Sequence, residues 1–522
     1  MCGILVNTAS VAQISFDRAL DSLKHRGPDA LGSYIWADVN LGHSRLSIID
    51  LGDQSNQPFL SDDGNLVIVY NGEIYNYKEI AKRHGLRCRT GSDTEVLLKL
   101  YEKLGANCLD ELNGMFAFVV LHKDSGKIFA ARDRLGIKPL YLDRREASVS
   151  FSSEMGALLE LNSKVEWDFE GLRQYIKLRA CIGSKTIYKN IEMLPPGHYF
   201  DDGKISCYWS MPEGEQAPPS DDELRALIVD AIQIRKVCDV PIGSYLSGGL
   251  DSTIVAGVAN VNDVWSVGFD NSNEFEYSEM AAEAFGLEHH ACLTTKEEFL
   301  ATASGMVKQR REPLGVPNEV LIYLMTKQVK KKNTVVLSGE GADELFFGYD
   351  RIFRWAGESQ KFDLKEFDQN YCYGSHKDDQ ILDAALGRFS GERVLTSVAR
   401  FFQTKHLHGL LRRLDNSTMA ASVEARVPFV DHRLVEMMAG VSIDYRMEKG
   451  VVKAPLKRVF RDLVPEPIIT RKKVGFPVPL AEIFGITPAE GKTFMDHWLI
   501  YNLEVLSGNN NLYLEVINSI KN

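Results

Sequence analysis

Ser247-Gly248-Gly249-Leu250-Asp251-Ser252 decides how the second half of this chain is read. The stretch follows the apolar run Val240 to Leu246 and precedes a helical pattern from Thr253 to Val261. A strand, a glycine-rich turn and a helix in that order make a nest of backbone N–H groups at the positive end of a helix dipole. Phosphate is the expected occupant. A Walker loop would place a lysine after the glycines, and none stands here. The expectation is therefore a loop that grips phosphate through backbone and hydroxyl groups, with Asp251 available to a metal ion. Gly-Gly turns between strand and helix also occur in α/β proteins that bind no phosphate, and this loop alone does not separate the two readings.

The sequence around it has a parallel-sheet rhythm. Strands are predicted at Val240 to Leu246, Val264 to Phe269, near His289 to Leu293 and at Thr334 to Leu337, with helices from Thr253, around Tyr277 to Phe285 and from Glu319 to Lys332. Such alternation predicts a doubly wound sheet with its ligand at the carboxyl ends of the strands. The last of these strands runs into Ser338-Gly339-Glu340-Gly341-Ala342-Asp343-Glu344, a second glycine and carboxylate turn. If both turns open at one edge, Asp251 and Asp343 can share Mg²⁺, which prefers a few carboxylates plus phosphate oxygens. Taken singly, each aspartate could be no more than an acidic helix cap.

Upstream, Met211-Pro212-Glu213-Gly214-Glu215-Gln216-Ala217-Pro218-Pro219 is polar, proline-rich and without periodicity, the signature of a linker. Ser220 and Glu223 then form a capping box at the start of a helix with Leu224, Leu227, Ile228, Ala231 and Ile232 on one face. This divides the chain into domains at 2–210 and 220–522 with a linker at 211–219, as a length of 522 residues also suggests. A net charge of −11 argues against a nucleic-acid-coating surface. The basic run Lys330 to Lys332 suits a helix C-terminus. Eight cysteines contain no C-x-x-C pair, so neither a zinc site nor a disulfide scaffold is indicated. With no secretory leader pattern and no long apolar segment, a soluble, cytoplasmic protein is expected, with no membrane partner.

In the first half, Cys2 precedes the apolar Gly3-Ile4-Leu5-Val6. Removal of the initiator methionine would leave Cys2 with a thiol and an α-amine titrating near about 8.5 and 7.7–8.0, so the amine can take the thiol proton and make a self-contained nucleophile. A buried cysteine opening a strand is the plainer alternative. The strand Leu66 to Tyr70 runs into Asn71-Gly72, a pair that can be a hairpin turn or can present an amide and a backbone N–H to an oxyanion. Ser92 and Glu95 read as a capping box, with Asp93 in the first turn of the helix that follows.

Cys2-Gly3-Ile4, His25-Arg26-Gly27-Pro28-Asp29, His43-Ser44-Arg45-Leu46-Ser47, Tyr70-Asn71-Gly72-Glu73-Ile74-Tyr75-Asn76, Gly91-Ser92-Asp93-Thr94-Glu95 and Gly114-Met115-Phe116-Ala117-Phe118 resemble, in order, the motifs of class II glutamine amidotransferases. The resemblance implies an α+β N-terminal-nucleophile domain, an αββα sandwich, in which Cys2 attacks the glutamine amide. Asn71 and Gly72 would form the oxyanion hole. Arg45 would pair with the glutamine carboxylate, Glu73 and Asp93 would hold the α-ammonium, and Leu46 would line the pocket. Arg132 to Tyr141 and Phe151 to Glu154 continue the match and would face the next domain. Charges that dense could equally form a solvated surface.

The loop pair Ser247 to Ser252 and Ser338 to Glu344 resembles that of the asparagine synthetase family. So do Asp415 to Met419, Ser422 to Asp431, Lys453 to Arg458 and Arg471 to Leu480. The resemblance implies an α/β ATP-pyrophosphatase domain. In it Leu246, Ser247, Gly248, Gly249, Asp251, Ser252, Val267, Ser338 and Gly339 would bind ATP, and Asp251 and Asp343 would bind Mg²⁺. Lys453 would neutralise the activated intermediate, and Glu340 would orient or deprotonate attacking ammonia. Standing alone, Arg426 and Lys453 would read as surface salt bridges, and Pro455 places Lys453 at a helix entrance. The implied activity is amide synthesis from glutamine, ATP and aspartate, and a homodimer is compatible with it. The same chemistry on a sugar acid or a peptide side chain, and a sensing module with dead sites, are the rivals. Glu312 to Glu319, where relatives differ, is the expected part of the acceptor pocket, and the tail after Gly485 matches no motif of the family.

Overall fold

The computed structural model describes residues 2–145, 148–161, 165–386, 393–472, 478–508 and 511–519. Its first half contains β1 (Gly3–Asn7), β2 (Ala30–Trp36), β3 (Val39–Arg45), β4 (Phe59–Leu60), β5 (Leu66–Ile74), β6 (Gly114–His122), β7 (Ile128–Arg132), β8 (Tyr141–Arg145), β9 (Ser148–Ser152), β10 (Ile191–Met193), β11 (His198–Asp201) and β12 (Lys204–Cys207). Two antiparallel six-stranded sheets result, in the orders β10-β8-β9-β1-β3-β2 and β12-β11-β7-β6-β5-β4. Period-2 alternation decides which side chains meet between them. Ile4 and Val6 of β1, Leu41 of β3, Val67 and Val69 of β5 and Val119 of β6 form the inter-sheet core. Leu5 turns the other way and packs with Phe16, Ala19, Leu20 and Leu23, the apolar face of helix Gln13–Asp21 and the turn that follows it. The helix Asp93–Leu104 covers the outer face of the second sheet against β5. The αββα sandwich is as expected.

Two local expectations change. The hairpin reading of Asn71-Gly72 is wrong, because β5 continues through both residues, paired with β6 from Leu66↔His122 to Ile74↔Gly114. Gly72 serves close approach and not a turn: a Cβ there would collide with Met115 O and Phe116 Cα. At the next helix Ser92 Oγ accepts from Thr94 N, but the Glu95 carboxylate takes the Arg89 and Thr90 N–H groups, so the capping box is only half formed.

The second half builds a five-stranded parallel sheet from β13 (Ile242–Tyr245), β14 (Asp263–Phe269), β15 (Glu288–Thr294), β16 (Val335–Leu337) and β17 (Glu424–Arg426), in the order β15-β14-β13-β16-β17. The strand order reverses between β13 and β16, and it is there that a doubly wound sheet opens a crevice for its ligand. β13 begins later than the apolar run, because Pro241 has no N–H to give the ladder and only its carbonyl is used, by Thr334 N at 3.0 Å. β17 is a fifth strand that no sequence pattern announced. The segment 211–219 lies along this half, with Gln216 N donating to Gly440 O at 2.9 Å, and Ser220 and Glu223 make the full capping box of helix Asp221–Ile234. No helix among the described residues is long and apolar enough to cross a membrane.

Candidate active site

The register Gly3↔Ser44 of β1 and β3 sets Cys2 opposite Arg45, at the open end of the inter-sheet layer. Asn71, on the inner face of the other sheet, meets it there. The Cys2 backbone nitrogen donates to Asn71 Oδ1 at 2.9 Å, which turns Asn71 Nδ2 the other way. That amide nitrogen is buried and has no hydrogen-bond partner. Tyr70 N–H and Ile74 N–H donate to Gln57 Oε1 and Asp93 Oδ2, and strand alternation sends the Gly72 N–H to the same side, away from β6. Two donors on this side of β5, one of them an orphan in the protein interior, are the kind of groups that suit the negative oxygen of a tetrahedral intermediate. Burial pushes the Cys2 thiol up, against the N-terminal charge, the Leu46 N–H and Arg45. Arg26 Nε fixes the Cys2 carbonyl at 3.1 Å.

The residues expected around the glutamine head group are brought together, with two differences. Asp93 takes the Tyr70 hydroxyl at 2.8 Å and the Ile74 N–H at 3.0 Å, and burial raises its carboxyl. Glu73 Oε1 is buried without a partner, so one lone-pair set remains for an ammonium. Its other oxygen, however, is 3.0 Å from Arg426 of β17. Burial, with Asp93 beside it, pushes Glu73 well above the usual carboxylate range. Arg45 spends its terminal nitrogens on Gly52 O, Asn56 Oδ1, Ile49 O and Asp50 O, so bidentate pairing with a ligand carboxylate requires the 49–56 loop to yield.

The dense charges after β7 form a buried interface and not a solvated surface. Asp415 is 2.9 Å from Arg26 and 3.3 Å from Lys138, and Arg26 also holds Glu154 at 3.0 Å. Arg426, fully buried, binds Glu424 at 2.5 Å, the carbonyls of Arg235 and Val237, and Glu73. Its own carbonyl accepts Ser338 N–H at 2.8 Å. One residue thus touches both expected sites. Neither it nor Lys453 is the surface salt bridge that each would suggest alone.

At the switch point the two loops lie against each other. A Cβ on Gly339 would sit 2.9 Å from Ser252 N and 3.1 Å from Asp251 Cβ. Ser252 Oγ accepts from Ser247 N at 3.2 Å, and Gly248 has φ +69 beside Tyr277 and Ser278, room that only glycine leaves. Leu246 follows β13, and Val267 is buried near the carboxyl end of β14. Lys453, itself left-handed at φ 55 and N-cap of helix Ala454–Val459, is buried. Its ammonium pairs with Asp251 and lies 2.5 Å from Asp343. Burial works against that charge, and the two aspartates outweigh it, holding Lys453 above the usual lysine range. Two carboxylates converging on one cation are a donor set that suits Mg²⁺ with phosphate oxygens.

Glu340 is held by Arg413 at 2.7 Å, a partner that sequence reading missed, as it missed the placement of Arg471. The Arg471 guanidinium donates to Gly248 O at 3.1 Å, pairs with Glu274 and lies 3.9 Å from the Tyr277 ring centre. Of the late motif Arg471 to Leu480, residues 473–477 lie outside the described residues. At the opposite, amino edge of the sheet, Asp263, Glu288 and His290 converge, with Lys332 3.4 Å and 2.7 Å from the two carboxylates.

Comparison with known proteins matches each half of the chain to a family. Residues 1–209 match the glutamine amidotransferase domain family, and residues 223–500 match the asparagine synthase family. Asparagine synthetase [glutamine-hydrolyzing] 1 of Bacillus subtilis is 30% identical over 92% of this chain and 87% of its own length. Asparagine synthetase [glutamine-hydrolyzing] 3 of the same organism is 30% identical over 89% of this chain and 84% of its own. Asparagine synthetase [glutamine-hydrolyzing] 2 of Oryza sativa is 30% identical over 91% and 77%.

Proposed function

Since the chain belongs to the asparagine synthase family and is a glutamine-hydrolysing ligase, we propose that it converts aspartate, glutamine and ATP to asparagine, glutamate, AMP and pyrophosphate. Residues 2–210 would act as the glutaminase, 211–219 as the linker and 220–522 as the synthetase. The Cys2 thiol, its proton taken by the α-amine exposed once methionine is removed, adds to the glutamine side-chain carbonyl. Asn71 Nδ2 and Gly72 N–H receive the oxyanion, ammonia leaves, and water releases glutamate from the thioester. Asp93 and the unpartnered oxygen of Glu73 hold the α-ammonium.

In the second site the aspartate β-carboxylate displaces pyrophosphate from the α-phosphate of ATP. Ser247 to Ser252 and Ser338-Gly339 grip the phosphates, and Lys453 balances the charge of phosphate and carboxylate. Mg²⁺, held by Asp251 and Asp343, would supply charge neutralisation for the departing pyrophosphate. Ammonia attacks the acyl-adenylate, Glu340 orients it and takes its proton, and AMP leaves. Ammonia protonated in bulk water would lose its lone pair, so the two sites need a route closed to solvent.

Arg426 carries this reading, because its side chain ends at Glu73 in one site and its carbonyl fixes Ser338 in the other. The test follows pyrophosphate release with ATP, glutamine and a panel of acids. Aspartate-dependent release supports the assignment, and release indifferent to aspartate sinks it. Cys2→Ala should abolish glutamate formation yet keep synthesis from added ammonium.

A further inference from the structure

A cavity beside the second loop takes its walls from both halves of the chain. It opens to solvent and is lined by Arg179 and Ile182 from the first half and by Val316, Tyr371, His406 and Arg413 from the second. An adjoining smaller space shares Arg179, Gly315, Glu319 and Arg413 with it. Two contacts join the cavity to Ser338–Glu344: Arg413 to Glu340 at 2.7 Å, and His406 to Glu344 at 3.9 Å. These contacts set the cavity beside the loop at which an acceptor carboxylate would meet the phosphate.

The charges lining it are mostly committed. Glu319 is bound by Arg310 at 2.7 Å and by Gly315 N–H at 2.7 Å, Glu312 by Arg310 and Arg412, and Arg413 by Glu340. Arg179 differs. No carboxylate among the described residues pairs with it. Its guanidinium lies 5.0 Å and 4.8 Å from the ring centres of Tyr371 and Tyr373, and its polar contact, to Tyr371 O, is 3.5 Å long. Its backbone is left-handed, φ 64, a conformation that disfavours a residue with a Cβ. Its carbonyl packs so closely on Gly315 that a Cβ there would collide with it. The neighbouring Tyr175 hydroxyl clamps Leu314 O at 2.9 Å. The first half therefore fixes a guanidinium, already flanked by aromatic faces, at the mouth of the acceptor space.

We propose that Arg179 recognises an anionic group of the acceptor remote from the carboxylate being activated, so that the acceptor carries at least two negative charges. This rests on the synthetase reading above. The remote group is a second carboxylate, as on aspartate, or a phosphate, as on a phosphorylated sugar acid, since a guanidinium fork accepts either.

The test measures ammonium-dependent pyrophosphate release with two pairs of acceptors. One is aspartate against its α-carboxamide, and the other is a uronic acid 1-phosphate against the free uronic acid. In one pair the wild-type protein should prefer the more anionic member by roughly tenfold to a hundredfold in KM, which also identifies the source. Arg179→Met should erase that preference by raising the KM of the anionic member with kcat held, and Arg179→Lys should restore part of it. The proposal is overturned if Arg179→Met keeps the preference, or if the wild type distinguishes neither pair. Should Arg179→Met fail to fold, the wild-type pairs and Arg179→Lys decide: full preference with lysine would exclude a role for the fork, and partial preference supports it. Absence of pyrophosphate with every acid would overturn the synthetase reading itself and this proposal with it.

Discussion

Asn71→Ala separates catalysis from stability in a way the structure makes quantitative. Asn71 is fully buried and uses only one end of its amide. Truncation leaves the Cys2 N–H without its acceptor, a cost of about 1–3 kcal/mol. It also removes Nδ2, which is buried and unpartnered in the parent protein, and so relieves a penalty of similar size, about 1–3 kcal/mol. The two nearly cancel, and the unfolding midpoint in urea should move little. Catalysis has no such compensation. Losing one oxyanion donor costs roughly 10²–10³ in kcat, about 2.7–4 kcal/mol. The assay is glutamate release from glutamine, with ammonium-dependent pyrophosphate release showing that the second site works. A variant hydrolysing glutamine within about threefold of wild type, less than ~0.7 kcal/mol, would refute the assignment of Nδ2 as a donor to the oxyanion.

Arg426→Met should take the guanidinium from Glu73 and Glu424 and lower stability by about 3–5 kcal/mol in denaturant unfolding, whereas a change under ~1 kcal/mol would show that the pairing contributes little. Lys453→Met should slow ATP–pyrophosphate exchange roughly 10²–10³-fold. It should also make Mg²⁺ raise the melting temperature more than in wild type, because Asp251 and Asp343 then lose the competing Lys453 ammonium, and equal Mg²⁺ shifts would contradict that arrangement. Burial lowers the His43 pKa from 6.5 to about 3. The unfolded chain therefore binds a proton that the folded one refuses, and stability falls as pH drops from 6.5 toward 3, at about 1.4 kcal/mol per pH unit for this group. His43→Gln should flatten the slope of unfolding free energy between pH 6 and 5 by about that amount, and an unaltered slope would argue against a buried neutral imidazole.

The architecture was legible where physics is local. Alternating apolar strands and the glycine-rich turns after them lie within a few residues of what they determine. Asn71-Gly72 defeated local reading, because an Asn-Gly pair is a turn unless a long partner strand holds it extended, and β6 does so from more than forty positions away. β17 is three residues long with glutamate and arginine at its ends, a pattern that has no period to detect. Arg426 and Glu73 are 353 positions apart, and only the packed interface shows that Arg26 and Lys138 are buried against Asp415. Arg413 and Arg179 carried no motif at all. Their importance comes from what they face.

In the proposed reaction, nitrogen released at Cys2 reaches a carboxylate activated between Ser247–Ser252 and Ser338–Glu344. Glutamine labelled with ¹⁵N in its side-chain amide, given with ATP, Mg²⁺ and aspartate in an excess of unlabelled ammonium, measures this directly. Asparagine should be enriched in ¹⁵N above the bulk ammonium pool and form one-to-one with AMP and pyrophosphate. Asparagine labelled only to the level of the pool, or formed with ADP and phosphate, would contradict it.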